Sequence, residues 1–429
     1  MVVNKLKSLI KKNRFARSVT VLAGGTALGQ LLVILTSPIL TRLYSPEDFG
    51  MLAVFGSIFG IFLVVAAFKY ELAIPLANKD EEAFDLLFLC IICVFLVSLI
   101  LTLLLLFMDE ILLRWTNSSM LSSYLWLLPI AVFCGGNYQT FNYWAIRKNA
   151  FPVLARTKLN QSISSVAVQL SCGFLGFTPI GLLLGQIASQ TAGIASLVRL
   201  AFQKSVPINF SFSLKRIAAV AAEYRRFPQY SSAAALLNAL GLQLPTLLLA
   251  TFFGLEVTGL YLLTQKLVGV PMTVVASSIT QVYIAELTQI TRRGSNILLP
   301  FYRKTLINIA KIAAILVALI AIIVPSFPYI FGQEWSRASL YTFILLPSFF
   351  MRFLSGAVVS SLEILGKNHW RLWRELVVLL LLIGGLFAAK LAFNNDITAI
   401  AALSLAGVAS YGLTLALVFR AVALEDQKY

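Results

Sequence analysis

Charge is scarce in this chain, and acid is scarcer still. Only 12% of its 429 residues are charged, with 18 Asp and Glu against 34 Lys and Arg. A soluble domain carries about twice that fraction, so little of this length is left for one. Histidine occurs once, as His369 in a basic stretch, which excludes a histidine metal cluster. The four cysteines, Cys90, Cys93, Cys134 and Cys172, all fall in apolar runs. Cys90-x-x-Cys93 has no His or carboxylate beside it and reads as small apolar residues, not as a redox or metal pair. No G-x-x-x-x-G-K-[ST] loop is present, so the chain has no ATP machinery of its own. No metal and no cofactor is expected.

Apolar residues fill the space that charge leaves. They make up 59% of the chain, and the mean hydropathy is +0.87. About twelve stretches reach the ~20 residues that a helix needs to cross a bilayer. They are Val19–Leu43, Gly50–Ala77, Phe84–Met108, Tyr124–Ile146, Gln161–Phe177 and Pro179–Phe202, then Tyr230–Phe253, Thr258–Leu287, Thr305–Phe331, Leu340–Leu365, Glu375–Phe393 and Thr398–Ala421. The fold class expected is an all-α polytopic membrane protein.

The cations alternate with the spans. About 26 of the 34 Lys and Arg fall in every second gap, which marks those gaps as cytoplasmic. Inside lie Arg147, Lys148, Arg156 and Lys158, then Lys204 to Arg226, then Arg292 to Lys304, then Lys367, Arg371 and Arg374. Outside lie short turns such as Ser45–Phe49, Gly254–Val257 and Asn394–Ile397. Both termini are expected in the cytoplasm. The net charge of +16 therefore faces anionic lipid headgroups, and nucleic acid is not an expected partner. The leader Lys5–Arg17 carries six cations but precedes a full span without an A-x-A-like site, so it does not read as a cleavable signal. One inside loop is odd: Asn78–Asp85 holds four acids and one Lys.

The domains expected are a basic leader (1–18), a first lobe of six spans (19–202), a linker (203–229), a second lobe of six spans (230–421) and a short tail (422–429). Within the linker, Leu214–Tyr224 has the pattern of an amphipathic surface helix with a basic rim. An internal repeat joins the lobes: a shift of 209 lays Glu47 on Glu256, Gly50 on Gly259 and Gly60 on Gly269. Two lobes of six spans insert with the same orientation. That implies a pseudo-two-fold axis along the membrane normal, with a substrate path between them. Gly25-x-x-x-Gly29, Gly56-x-x-x-Gly60 and Gly181-x-x-x-Gly185 offer faces for close helix approach. Pro38, Pro75, Pro129, Pro245, Pro271 and Pro325 interrupt spans and kink them.

Four cations stand more than a helical turn from either end of a span: Lys69, Lys266, Lys311 and Arg352. An ion in hydrocarbon costs roughly 2.5–3.5 kcal/mol on insertion scales. Lys266 and Arg352 lie deep, and no Asp or Glu stands at mid-depth to pair with them. That favours a watery cationic cavity, and hence an anionic cargo, over dry ion pairs. Lys311, near an inner end, can snorkel. Lys69 and Glu71, two apart on a helix, point in different directions and are not expected to pair. Glu71 is a candidate for coupling or gating. Gln243 and Gln265, with Gln30, Asn137, Gln139, Asn142, Gln186, Gln190 and Asn238, suit sugar hydroxyls because amides both donate and accept. They serve equally as glue between helices.

Ser37-Pro-Ile-Leu-Thr-Arg-Leu-Tyr-Ser-Pro-Glu-Asp-Phe-Gly50 resembles the Wzx-type O-antigen flippases of the MOP superfamily (multidrug, oligosaccharidyl-lipid, polysaccharide exporters). Lys69-Tyr-Glu-Leu-Ala-Ile-Pro75, Leu127-Leu-Pro-Ile-Ala131 and Asn142-Tyr-Trp-Ala-Ile-Arg-Lys148 add to the likeness. It is sharp over roughly the first 160 residues and looser afterwards. The resemblance implies a multi-pass protein of the bacterial inner (plasma) membrane that moves an undecaprenyl-pyrophosphate-linked oligosaccharide outward. It implies that charged cavity residues carry function, and Lys69, Glu71, Lys266 and Arg352 are the positions here that fit; the candidate substrate contacts are Arg352, Lys266, Lys69 and Lys311 with Gln243 and Gln265. Coupling or gating falls to Glu71 and Arg42. The partners implied are the lipid-linked glycan, anionic lipid, a polysaccharide polymerase and chain-length regulator, and H⁺ or Na⁺.

Two other classes are weighed. A cation-coupled drug exporter of the same superfamily wants mid-depth carboxylates. A polymerase or ligase wants a large outer loop, and the longest outer gap here is Asp109–Ser123, with Arg114 alone as a cation.

Overall fold

The structure is a computed structural model that describes residues 14–107, 123–204, 213–293 and 297–427. The leader before Arg14, most of the Asp109–Ser123 gap with Arg114, and the last two residues lie outside the described residues. Among those described the secondary structure is helical, without a strand.

Chain contacts divide the protein into two compact units. The first comprises Met1–Tyr44 and Val54–Ala239; the second comprises Ser45–Ala53 and Leu240–Tyr429. In the first run α1 (Arg14–Leu43), most of α2 (Pro46–Val65), α3 (Asp80–Phe107), α4 (Leu127–Arg147), α5 (Phe151–Phe174), α6 (Ile180–Thr191), α7 (Ile194–Lys204) and α8 (Leu214–Glu223). In the second run most of α9 (Ser232–Thr264), then α10 (Val270–Arg293), α11 (Leu298–Ile323), α12 (Phe327–Phe331), α13 (Ser336–Val358), α14 (Ser361–Ile364), α15 (Asn368–Ala392) and α16 (Asp396–Asp426).

The twelve helical passes expected are present, with altered bounds. Nine described stretches qualify as spans on length and composition. One of them, Phe227–Thr291, holds two passes, because α9 breaks at Gly254 (φ 89°, ψ 176°). Two passes, α4 and α5, are too polar to qualify alone. The largest shift of a helix start is at α5, which begins at Phe151, ten residues before the apolar run. Pro152 in the first turn is pre-set for a helix start, and the polar run Arg156–Gln161 continues the helix. Arg156 and Lys158 therefore stand on a helix, not in the expected loop.

In the first unit, small residues admit neighbouring helices. A Cβ on Gly25 would meet the Ala155 carbonyl oxygen at 2.8 Å, and one on Gly29 would meet Ser162 Oγ at 2.5 Å. This close approach packs α1 on α5. The Tyr44 hydroxyl donates to the Gln169 carbonyl at 2.6 Å. Gly56 has open space around it and makes no such approach.

In the second unit, the start of α2 packs against the repeat-related segment of α9. Ser45 and Asp48 cap α2 reciprocally: the Ser45 amide donates to Asp48 Oδ2 at 2.9 Å, and the Asp48 amide to Ser45 Oγ at 3.2 Å. This is a capping box, with Pro46 at the first helical position. A Cβ on Gly50 would strike the Leu255 carbonyl, and one on Gly259 the Pro46 carbonyl. The two repeat-related glycines thus allow backbone to meet backbone. Phe49 seals the contact edge-on against the buried Trp335, 4.9 Å between ring centroids. Further out, Thr264 pairs with Thr342 at 3.2 Å and Tyr283 with Ser361 at 2.7 Å, polar ties suited to a helical bundle in lipid.

Candidate functional site

Lys266 stands in a widened π-turn, Gln265–Gly269, between α9 and α10. The cause follows within two residues: Pro271 has no N–H, and its ring crowds the carbonyl four residues back, at Leu267, so the turn opens. Counted from the break at Gly254, Lys266 is roughly 17 Å along the pass, about half of a ~30 Å hydrocarbon core. Its ammonium lies 5.5 Å from the centre of the Phe49 ring, a cation–π contact. Next to it, Gln265 Nε2 donates to the Tyr261 hydroxyl at 2.6 Å, and Arg352 and Tyr411 lie near enough to that hydroxyl to act on it electrostatically.

Arg352 sits on α13, roughly one turn past the middle of the helical stretch Gln333–Ile364. It lines a cavity of about 370 Å³ together with Gly269, Met272, Thr273, Ser277, Thr280, Phe349 and Gly356. The wall is mostly apolar, with hydroxyls on the α10 side. Among the described residues neither Lys266 nor Arg352 forms an ion pair with a carboxylate. The second unit thus presents two cations, two tyrosines and an amide, and among the described residues no carboxylate is paired with either cation. Such a set can accept an anion bearing hydroxyls.

Of the other expected residues, Gln265 joins this group and Gln243 does not line the cavity. Lys311 on α11 is exposed and lies apart from it. Arg42 is exposed in the last turn of α1, where a cation favours the helix dipole.

Lys69 and Glu71 correct the sequence reading. The expected span Gly50–Ala77 ends as a helix at Val65. Phe68 (φ 49°) and Lys69 (φ 61°) are left-handed, and Tyr70–Ala73 is a 3₁₀ turn. The break swings the two side chains together, so Lys69 Nζ reaches Glu71 Oε1 at 3.4 Å. Helical spacing did not apply because the segment is not a helix. Glu71 lies beyond the spanning helix and is 1% exposed, and its Oε2 has no hydrogen-bond partner among the described residues. Burial pushes its carboxyl above the ordinary range, against the pull of the Lys69 ammonium.

Arg147 holds this break. It donates to the freed carbonyls of Ile74 (3.1 Å) and Ala77 (2.6 Å) and forks onto Asp80 Oδ1 at 3.0 and 3.2 Å. Lys148 takes Asp80 Oδ2 at 2.8 Å. Two more of the four acids of the odd 78–85 loop are matched in turn: Arg216 faces Asp85, and the Tyr224 hydroxyl donates to Glu82 at 2.7 Å. Burial and the Glu82 carboxylate push the Tyr224 phenol up to about 12, so it remains a donor at any physiological pH. These contacts fasten α8 to the first unit, with Ile217 and Val220 buried beneath it. The sequence signal was present as four acids in one inside loop; their partners, far along the chain, were not legible.

Twelve helical passes without a described strand define a multi-pass helical membrane protein, and its fold is shared with solved transporters and a flippase. An inward-facing multidrug resistance MATE family transporter of the MOP superfamily superposes with a TM-score of 0.75, at 15% identity, over 93% of this chain and 96% of that one. The lipid II flippase MurJ, in an inward closed conformation, gives 0.72 at 14% identity over 95% and 90%. An outward-facing MATE transporter gives 0.59 at 13% identity over 96% of each. No curated protein matches the chain. Residues 39–340 match the family described as polysaccharide biosynthesis protein, and the chain belongs to that family. Its fold is that of the MOP superfamily exporters.

Proposed function

We propose that this protein is a flippase. It moves a polyprenyl-pyrophosphate-linked oligosaccharide, such as an O-antigen repeat unit, from the cytoplasmic to the periplasmic leaflet of a bacterial inner membrane. It works by alternating access of two six-span lobes, residues 19–202 and 230–421, and it is not an enzyme. The observation that carries this reading is the pair Lys266 and Arg352, two deep cations that among the described residues pair with no carboxylate, one of them on a cavity. Buried unpaired charge is costly unless a ligand or water meets it. Guanidinium is suited to pyrophosphate as a fork and ammonium as a point charge. MurJ is by name a lipid II flippase, and membership of a polysaccharide biosynthesis family fits a related cargo.

The test is surface polysaccharide in a deletion strain complemented with Arg352→Met, which keeps volume and removes charge. Loss of surface glycan at normal protein abundance is expected. Full surface glycan would overturn the cargo contact.

A second reading, a cation-coupled drug exporter, has one observation to build on: Glu71 is a buried carboxylate with an oxygen unpartnered among the described residues, though it lies beyond the spanning helix and not at mid-depth. Drug susceptibility of the same deletion strain separates the two readings, since only an exporter alters it directly.

A further inference from the structure

A second cavity, of about 400 Å³, opens in the first unit between α5 and α7. It is lined by Val153, Arg156, Thr157, Asn160, Ser196, Arg199 and Leu200. The α5 residues fall at i, i+3, i+4 and i+7, and the α7 residues at i, i+3 and i+4, so one stripe from each helix builds the walls. Arg156 is five residues after the start of α5, and Arg199 five before the end of α7. Both therefore lie roughly 7–8 Å from the ends of their helices that meet the inner loops, at one level. Among the described residues neither guanidinium pairs with a carboxylate. Thr157 is already fixed, bonded to the Leu154 carbonyl at 2.8 Å and to the Tyr138 hydroxyl at 3.1 Å. Arg156, Arg199, Asn160 and Ser196 are the polar groups left to meet a ligand, and all four can donate a hydrogen bond.

We infer that this cavity binds the phosphoryl group of an inner-leaflet lipid. Two like charges share one cavity without an intervening acid, an arrangement that repels itself until an anion arrives. Planar guanidinium forks suit phosphate oxygens. Their level, about one and a half turns from the helix ends, is that of headgroup phosphates, and basic pockets between spanning helices on the cytoplasmic side take anionic headgroups. The inference rests on the cytoplasmic orientation proposed for the inner loops. The same chemistry has two sources: the pyrophosphate of the lipid-linked cargo on its way in, or a bulk anionic phospholipid.

The experiment uses the full-length protein, purified and delipidated in detergent, with two probes: a polyprenyl pyrophosphate and dioleoyl phosphatidylglycerol. Binding is compared between the wild type and Arg156→Gln/Arg199→Gln, with Arg156→Lys/Arg199→Lys as the charge-keeping control. The Gln pair is expected to weaken at least one probe about tenfold, with the Lys pair intermediate. A loss confined to the pyrophosphate identifies the cargo as the source; a loss for phosphatidylglycerol identifies bulk lipid. Equal binding of both probes by wild type and a well-behaved Gln pair would overturn the inference. Hydrogen exchange on the wild type keeps the test independent of folding of the variants. Protection of 151–160 and 194–204 on adding either probe is expected, and no protection by either would overturn the site. External labelling of an Arg225→Cys variant in spheroplasts would instead overturn the orientation, and full surface glycan with Arg352→Met would overturn the cargo contact; neither changes the binding result here.

Discussion

Arg352 and Lys266 hold positive charge in two different passes, and among the described residues neither is paired with a carboxylate. If cargo phosphate supplies the counter-charge, charge and shape at Arg352 are separable. Arg352→Lys is expected to keep part of the surface glycan, since a point charge replaces a fork. Arg352→Ala is expected to remove it while abundance stays near normal. Sharply reduced abundance of the Ala variant would mark a dry structural partner instead, because that partner would be left unpaired. Glu71 makes the second prediction. Its buried carboxyl has one oxygen tied to Lys69 and one without a partner among the described residues, so a proton can occupy the second oxygen, turning the ion pair into a contact between the ammonium and a neutral carboxyl. Glu71→Gln is expected to abolish surface glycan at normal expression; wild-type glycan would contradict a coupling or gating role. Lys266 and Arg352 were legible from the sequence because a charge in an apolar run is conspicuous. The Lys69–Glu71 pair was not, because its geometry depends on two left-handed residues in a run that reads as continuous helix.

Elements here are set by glycine and proline more than by apolar periodicity. Gly50 and Gly259, one of the glycine pairs that repeat at a spacing of 209, lie against the backbone of each other's segments, so either one should resist a side chain. Gly259→Ala is expected to cost about 1–3 kcal/mol through overpacking against the Pro46 carbonyl. Gly56→Ala, where nothing stands within 4 Å, is expected to be neutral or to gain about 0.5–1 kcal/mol from helix propensity. Thermal unfolding followed by size-exclusion retention in detergent checks both, and equal midpoints for the two variants would contradict the packing argument. The Ser45–Asp48 motif, part of the family likeness, turns out to be a helix cap, so its role in the structure is local shape. Helix bounds were the least legible feature. Alpha-helix α5 carries Arg156, Lys158, Asn160 and Gln161 in its first half, and hydropathy reads that half as a loop. The cavity that holds Arg156 was hidden for the same reason.

For the whole molecule, the alternation of Lys and Arg gave the number of passes, because a miscount would have broken it. The same alternation predicts the sidedness. Cysteines placed at Glu256, Glu334 and Asn395, all exposed, are expected to label from the periplasm, and one at Arg225 only after permeabilisation. Trp335, which the sequence offers as an outer site, is fully buried against Phe49 and would not report. The central claim is that the chain carries a lipid-linked glycan across a bilayer, and reconstitution tests it most directly. Proteoliposomes holding the purified protein and a polyprenyl-pyrophosphate oligosaccharide are exposed to an external glycosidase. Wild-type protein is expected to render both leaflets' glycan cleavable, while Arg352→Met leaves about half protected, as in protein-free liposomes. Equal protection in all three preparations would contradict the account.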